Sequence, residues 1–136
     1  MDFSLTTEQL ELRRMLRDVT ADQVSSARLR EVISSPSGDD AALWKLLAGD
    51  LGLLGVALAE ESGGTGGSFV DASVVIEESG RGLWPVPMTS SLSAVAALGA
   101  AVVPELLQAV AAGDWRAAFV VSDEITVSGA TISGRA

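Results

Sequence analysis

The chain has 136 residues, of which 48% are hydrophobic, and this is enough for one domain or for one domain and the start of another. Its formal net charge of -9 argues against binding to nucleic acid or to an anionic membrane, because phosphate groups are bound by clustered Lys and Arg. The sequence has no Cys and no His, which excludes thiol catalysis, a Cys/His zinc site, a serine–histidine triad and an imidazole base within this chain.

The distribution of apolar residues predicts a soluble, cytoplasmic protein. Asp2 and Glu8 lie where a secretory signal would be basic and then apolar. The longest apolar stretch runs from Ala94 to Val103, ends at Pro104, and is too short to span a bilayer. We therefore expect no membrane contact.

Capping and stop signals predict three helices in the first third of the chain. Thr6 and Gln9 have the spacing of a capping box, which opens a helix to about Val24. Its apolar positions share one face: Leu12, Met15, Leu16 and Val19. A second, shorter helix should be broken by the Ser- and Gly-containing stretch 34–38.

A third helix should begin at an aspartate and end at a glycine. Asp39 or Asp40 can cap it, and Gly49 is its expected stop signal. The apolar residues expected to face the core from the second and third helices are Leu29, Val32, Ile33, Leu43, Leu46 and Leu47.

Three further helices are predicted between residues 68 and 113. Ser68 or Asp71 can cap the fourth, and Gly80 and Gly82 should end it. The fifth, roughly 90–100, has no charged residue, so we expect it to be buried on most sides, at the centre of a bundle or under a partner. Pro104 suits the first turn of the sixth, which should stop near Gly113.

The last part of the chain has the pattern of β-strands. One strand is predicted from Trp115 to Ser122, and a pair of strands from Ile125 to Ser133 around Gly129. So few strands do not form an independently stable sheet. We expect a helical domain over residues 1–113 and an incomplete β domain over 114–136, either in an N-terminal piece or with the remainder in another chain.

A glycine-rich loop between the third and fourth helices is the most informative motif. Ala59 to Ser68 reads AEESGGTGGS, with four glycines within five positions, and it follows the apolar segment LGLLGVAL. Such a loop can pass close to a neighbouring backbone or to a bulky ligand. It is not a dinucleotide-binding fingerprint, because it does not lie in a βαβ unit.

The stretch from Leu51 to Arg81 resembles the acyl-CoA dehydrogenase family, in which an "LGLLG…PEEYGGTGGS…EELGR" pattern joins two helices of the N-terminal domain. The resemblance implies a mainly α fold: the N-terminal helical bundle of that family, followed by the first strands of a β domain. It also implies that the N-terminal helices wall one side of an acyl-CoA pocket. The segment after the fourth helix would line this pocket through Trp84, Pro85, Val86, Pro87, Met88, Thr89 and Ser90. The alternative is that Trp84 and Met88 only fill the interior of the bundle.

The resemblance also implies what this chain lacks. The catalytic glutamate of the family lies beyond the middle domain, and FAD is held mainly by the middle and C-terminal domains. We therefore expect FAD in the complete enzyme or in a partner subunit, and not held by this chain alone. A "TEP…GSD" loop of the family looks deleted where Ser122 to Glu124 runs into Ile125. In this respect the chain resembles the degenerate subunit of actinobacterial heteromeric acyl-CoA dehydrogenases.

Residue chemistry alone yields no catalytic group and no metal site. The pairs Glu60–Glu61 and Glu77–Glu78 are predicted to be solvated, since adjacent residues on a helix do not face each other. Arg13 and Arg14 are expected at the surface, pairing with Glu11 or Asp18.

Two functions remain open. The first is a part or subunit of a flavin-dependent acyl-CoA dehydrogenase that desaturates an acyl-CoA at the α,β position, in a homo- or hetero-oligomer with an acyl-CoA dehydrogenase subunit. The second is a non-enzymatic helical interaction module with the same fold. A wholly unrelated helical adaptor is a third, less favoured reading.

Overall fold

The structure is a computed structural model that describes residues 4–101, 103–120, 126–128 and 131–133, the last two stretches by their backbone alone. The described residues form six α-helices and one pair of strands: α1 (Thr7–Gln23), α2 (Ser26–Ser34), α3 (Ala41–Trp44), α4 (Phe69–Arg81), α5 (Met88–Ala101), α6 (Pro104–Ala111), β1 (Thr126–Ser128) and β2 (Thr131–Ser133). A π-helical turn, Lys45–Asp50, continues α3, and 3₁₀ turns lie at Leu53–Gly55 and Glu60–Ser62. The predicted mainly helical fold is confirmed.

The N-terminus of α1 has the predicted capping box. The Thr6 hydroxyl accepts from the backbone N–H of Gln9 at 3.3 Å, and Gln9 Oε1 accepts from the backbone N–H of Thr6 at 3.1 Å. Both bonds satisfy donors that the helix itself leaves unpaired. Leu16 lies on the predicted apolar face and is fully buried.

Asp40, one of the two predicted caps, begins α3. Its Oδ1 accepts from the backbone N–H groups of Ala42 and Leu43, each at 3.1 Å. The prediction that Gly49 stops this helix was wrong, since the helical path continues through Gly49 to Asp50. Gly52, at φ 61°, supplies the left-handed residue that follows the helical segment.

The glycine-rich loop folds back along residues 55–58. The backbone N–H groups of Thr65 and Gly66 donate to the carbonyls of Gly55 and Leu58 at 3.2 and 2.8 Å. A Cβ atom at Gly64 would overlap the backbone of Leu58. The loop therefore needs glycine because two backbone segments pass close together. This agrees with the predicted close approach to a neighbouring backbone, one of the two possibilities that the sequence left open beside a bulky ligand.

Helices α1 and α4 lie side by side and are joined by ion pairs. Arg13 contacts Glu77 at 2.6 Å, and Arg17 contacts Glu78 at 2.9 Å. The prediction of a solvated Glu78 was wrong, because its side chain is 2% exposed. The prediction that Arg13 pairs within α1 was also wrong, because its partners Glu77 and Glu78 lie on α4. The packing of the two helices places the Glu78 carboxylate next to the guanidinium groups of both Arg13 and Arg17.

Helix α4 is capped by Ser68 with Asp71 at the third helical position, and it ends at Arg81. Gly82 follows as predicted, whereas Gly80 lies inside the helix and does not end it. Helices α4 and α5 and the Leu53–Gly55 turn surround the main core, whose largest fully buried side chains are Leu16, Leu47, Leu54, Met88, Val74, Val75 and Val110.

Helix α5 is only half buried in the chain alone. Met88, Leu92 and Val95 face the core, whereas the opposite face, which includes Ser93 and Ala96, is exposed. The exposed face is uncharged and consists of small residues, Ser93 among them. The predicted burial on most sides is therefore not seen within this chain, and the covering partner stays a prediction.

The C-terminal part is only partly as predicted. Thr126–Ser128 pairs antiparallel with Thr131–Ser133, with Val127 opposite Ile132, so the predicted strand pair is confirmed. The predicted strand over 115–122 was wrong for its described residues 115–120, which have no regular secondary structure. Its last two residues, the turn at Gly129 and the deleted loop predicted at 122–125 lie outside the described residues. Over the described ranges, no helix has the length and apolarity needed to cross a membrane.

Candidate functional site

The predicted site lies on the connection between α4 and α5, and its backbone path is set where α4 ends. The N–H of Leu83 donates to the Gly80 carbonyl at 3.2 Å, and the N–H of Trp84 donates to the Ser79 carbonyl at 3.0 Å. These two bonds form a Schellman motif, which turns the chain sharply out of the helix. Leu83 is at φ 50° in this motif, where glycine is the usual residue.

Two further hydrogen bonds attach the connection to other helices. The indole Nε1 of Trp84 donates to the Thr20 hydroxyl on α1 at 2.8 Å. The Pro85 carbonyl accepts from the backbone N–H of Asp40, the cap of α3, at 3.0 Å. The two prolines of the WPVP segment further restrict the backbone. The connection is therefore held against α1, α3 and α4 at once.

The structure divides the predicted pocket residues into two groups. Trp84 and Met88 are 7% and 1% exposed and belong to the hydrophobic core. The others reach the surface to different extents: Pro85, Val86, Pro87 and Ser90 are half-buried, and Thr89 is exposed.

A depression of about 500 Å³ lies beside the surface group. It is lined by Ser37, Gly38, Asp39, Pro85, Val86, Pro87 and Arg116. Arg116 contacts Asp39 at 2.7 Å, and its guanidinium lies 4.8 Å from the centre of the Trp44 ring. Sequence analysis missed Asp39 and Arg116 as neighbours, since they lie 77 residues apart and no motif links them.

A second cavity, of about 190 Å³, lies between α4, α5 and the segment that precedes the glycine-rich loop. Its lining includes Leu54, Leu58, Phe69, Ile76, Leu92, Ser93 and Ala96. Ser93 is the one polar residue of the lining. This cavity is smaller than typical ligand pockets of about 300–1,000 Å³.

A third hollow, of about 330 Å³, lies between α5, α6 and residues 115–119. It is bordered by Leu98, Leu106, Trp115 and Phe119, and the last two are 61% and 56% exposed. The buried Ser91 hydroxyl donates to the Ala117 carbonyl at 3.1 Å and fixes this segment against α5. The absence of charge along α5 was the sequence signal for an apolar surface here.

Hydrogen bonds favour the ionised form of two carboxylates, Asp40 beside the connection and Asp71 in the first turn of α4. Arg28 donates to Asp40 Oδ2 at 2.8 Å, and this hydrogen bond, helped by two backbone N–H groups, holds the pKa of Asp40 below its ordinary value. Hydrogen bonds from Ser68 likewise lower the pKa of Asp71. Both carboxylates cap helices, so neither is poised as a general base near neutral pH.

Neither the second cavity nor the third hollow fits a flavin by its lining residues. No group of three or more potential metal ligands occurs in the part of the chain that the structure describes. The second cavity and the third hollow are lined by apolar residues with a single polar or charged exception each, whereas an isoalloxazine ring carries several polar atoms to be satisfied. The linings of these two contain no Asp or Glu that could serve as a base.

Comparisons with known proteins agree with this architecture. The model of the family "Acyl-CoA dehydrogenase, N-terminal domain" matches residues 6–105. Acyl-CoA dehydrogenase IpdE2 of Mycobacterium tuberculosis is 36% identical over 125 residues, and its relative of the same name from Mycolicibacterium smegmatis is 34% identical over 123 residues. A solved variant of the Tcur3481-Tcur3483 steroid ACAD superimposes with a TM-score of 0.72 at 40% identity. This chain belongs to the acyl-CoA dehydrogenase family.

The matches cover most of this chain but a minor part of each relative. They cover 88% of this chain and 39% and 40% of the two IpdE2 proteins, and 80% of this chain and 31% of the steroid ACAD chain. The chain thus corresponds to the N-terminal part of these proteins.

Proposed function

We propose that this chain forms the helical wall of the acyl-CoA site in a cytoplasmic, flavin-dependent acyl-CoA dehydrogenase assembly. The observation that carries the proposal is the α4–α5 connection, which hydrogen bonds hold rigidly against three helices and which presents Val86 and Pro87 to a depression. The part of the depression formed by Pro85, Val86 and Pro87 is rigid and apolar and suits an aliphatic or polycyclic acyl group, whereas the rest of its lining includes the ion pair of Asp39 and Arg116.

In the proposed assembly, the residues of this chain bind and position, and the chemistry lies elsewhere. Desaturation removes the α proton of the thioester with a carboxylate base and moves a hydride from the β carbon to FAD. Val86, Pro87, Thr89 and Ser90 would contact the acyl group and exclude water from one side of it. The base and FAD would be held by other parts of the complete enzyme or by another subunit.

One observation favours the alternative function, a helical interaction module without an acyl site. Trp84 and Met88 fill the core, as in the alternative reading of the sequence, so that the wall is shallower than the resemblance implied. Acyl-CoA binding by the assembled protein separates the two functions.

The test is to express this chain together with each acyl-CoA dehydrogenase subunit of its host, and to purify any complex. We expect a yellow complex whose flavin absorbance changes when an acyl-CoA is added, and a colourless chain when it is purified alone. Val86→Trp should weaken acyl-CoA binding about 10-fold or more by filling the depression, whereas Ile33→Trp on α2 should not. A stable complex in which acyl-CoA leaves the flavin spectrum unchanged would favour the interaction module.

A further inference from the structure

The depression beside the α4–α5 connection has a lining of two chemical kinds. Residues 85–87, Pro-Val-Pro, form an apolar part, and Ser37, Asp39 and Arg116 supply polar groups to the rest. Pockets of this kind hold a ligand mainly by apolar contact and orient it with a few fixed polar groups. A ligand that fills this depression is therefore apolar over part of its surface and carries at least one polar atom.

The guanidinium of Arg116 is held in place on its face and on one edge. Its central carbon lies over the Trp44 ring, 4.8 Å from the ring centre, and Nη2 donates to Asp39 Oδ2 at 2.7 Å. Trp44 is itself 5% exposed, and its Nε1 donates to the Gly113 carbonyl at 2.8 Å. Because the ring beneath it is fixed in the core, the guanidinium needs little reorganisation to meet a ligand.

Part of the hydrogen-bonding capacity of this ion pair is unused. Among the described residues, Arg116 donates through Nη2 alone, so the N–H groups of Nε and Nη1 remain for a ligand. The Arg116 side chain is 42% exposed and is therefore accessible. Asp39 Oδ1 is buried and has no hydrogen-bond partner within the same part of the chain. Buried polar atoms are nearly always paired in folded proteins, so the ion pair is incompletely satisfied in this chain by itself.

The charges of the pair decide which polar group is favoured. Asp39 offsets the positive charge of Arg116 at 2.7 Å, so an anionic ligand group would be attracted by one residue and repelled by the other. A neutral acceptor oxygen, in a keto or hydroxyl group, accepts from the free N–H groups without this repulsion. A purely aliphatic group would cover the same N–H groups and leave them unpaired.

We propose that Arg116 is a specificity-determining residue that selects acyl-CoA substrates whose acyl group carries a neutral keto or hydroxyl oxygen. The inference rests on the proposed function, which places the acyl group against Val86 and Pro87. The oxygen belongs to the acyl group beyond its reacting carbons, because the proposed function assigns the base and FAD to other parts of the complete enzyme or to another subunit.

The test compares ligands of one chain length on the flavin-containing complex. The probes are decanoyl-CoA, decanoyl-CoAs with a keto group at successive carbons of the outer half of the chain, and the analogue with a terminal carboxylate. The change in flavin absorbance gives each dissociation constant. We expect at least one keto-decanoyl-CoA to bind about 10-fold tighter than decanoyl-CoA, and the carboxylate analogue to show no such gain.

Three substitutions relate this preference to individual residues. Arg116→Met keeps an unbranched side chain beside Trp44 but removes the donors, so the keto preference should fall to about 2-fold or less. Asp39→Asn removes the offsetting charge, so the carboxylate analogue should gain affinity a few-fold relative to decanoyl-CoA, and the gain should shrink at high salt. Arg14→Met is the matched control, because Arg14 is exposed on α1 outside the lining of the depression, and it should leave every ratio unchanged. Each readout is a ratio of two affinities on one protein, which a partly unfolded sample does not alter.

Two outcomes would overturn the inference without touching the proposed function. One is a full keto preference in Arg116→Met, and the other is a complex that binds decanoyl-CoA but prefers no keto-decanoyl-CoA. If no acyl-CoA changes the flavin spectrum of a stable complex, the proposed function fails together with the inference.

Discussion

Trp84 and Thr20 lie 64 residues apart in the sequence, yet the indole Nε1 of Trp84 donates to the Thr20 hydroxyl at 2.8 Å. The same hydroxyl donates to the Leu16 carbonyl at 2.7 Å, so Thr20 links the α4–α5 connection to the backbone of α1. A Cβ atom at Gly82 would lie 2.6 Å from Trp84 Nε1, which shows how closely the connection packs here.

The first prediction concerns this link. Thr20→Val keeps a similar shape but removes the acceptor of a buried indole N–H, and it should lower the free energy of unfolding by about 1–3 kcal/mol. Thr20→Ser keeps a hydroxyl and should cost less. Urea denaturation of the three proteins measures both effects. A larger loss in Thr20→Ser than in Thr20→Val would show that the methyl group of Thr20, and not its hydroxyl, supports the indole.

The second prediction concerns the glycine-rich loop. Gly66→Ala places a Cβ atom at φ 72° and should cost about 1 kcal/mol. Gly64→Ala should cost about 1–3 kcal/mol, because the new methyl group would overlap the Leu58 backbone. Gly80→Ala is the matched control: it lies inside α4 with open space around it and should stabilise the chain by about 0.5–1 kcal/mol. Thermal unfolding compares all three variants. Unchanged melting temperatures of both loop variants would mean that the loop can change its conformation to accommodate the new methyl groups.

The third prediction concerns the ion pairs between α1 and α4. Glu78→Gln removes a buried carboxylate that two arginines share, and we expect a loss of about 1–2 kcal/mol, since both arginines keep some contact with water. Glu77→Gln changes a side chain that is 57% exposed and should cost less than about 0.5 kcal/mol. The free energies of unfolding of the two variants, measured by denaturation at low and high salt, distinguish the buried ion pair from the exposed one. Similar losses in the two variants would contradict the buried position of Glu78.

The fourth prediction concerns pH. Arg28 and two backbone N–H groups lower the pKa of Asp40 from its ordinary value of 3.8, so the folded chain binds this proton less readily than the unfolded chain. The resulting stabilisation is complete above that value and is lost as the pH falls through the lower pKa of the folded state. Asp40→Asn should cost about 1 kcal/mol near pH 7, and its difference from the unmodified chain should shrink below about pH 4.

Denaturation curves at a series of pH values measure that difference. Asp22→Asn, at an exposed position of α1, is the control and should stay within about 0.5 kcal/mol of the unmodified chain at neutral pH. A difference at Asp40 that is independent of pH would mean that the cap depends on hydrogen-bond geometry and not on charge.

Local sequence signals predicted much of this fold. Thr6, Asp40 and Ser68 begin helices because their side chains pair with backbone groups only two or three residues away, and such contacts are visible in the sequence. Glu78 was misjudged because its burial depends on Arg13 and Arg17, which packing brings from more than sixty residues away.

The predicted strand at 115–120 failed for a related reason. A strand is defined by its pairing, and among the described residues nothing pairs with this segment. In the candidate site too, local signals were visible in the sequence and tertiary contacts were not. Sequence resemblance selected residues 84–90, but the burial of Trp84 and Met88, and the position of Arg116 at the same depression as Pro87, depend on tertiary packing.

The contacts of Arg116 and Ala117 determine how the helical domain responds to a pulling force. Arg116 is bonded to Asp39 and stacked on Trp44, while the carbonyl of the next residue accepts from Ser91 on α5. Two adjacent residues are thus attached to two different helices, α3 through Trp44 and α5 through Ser91, which fixes the position and the direction of the chain at this point. A pulling force applied to later residues would therefore break the contacts of Arg116 and Ala117 first, and would disrupt the hydrophobic core only after these contacts were broken.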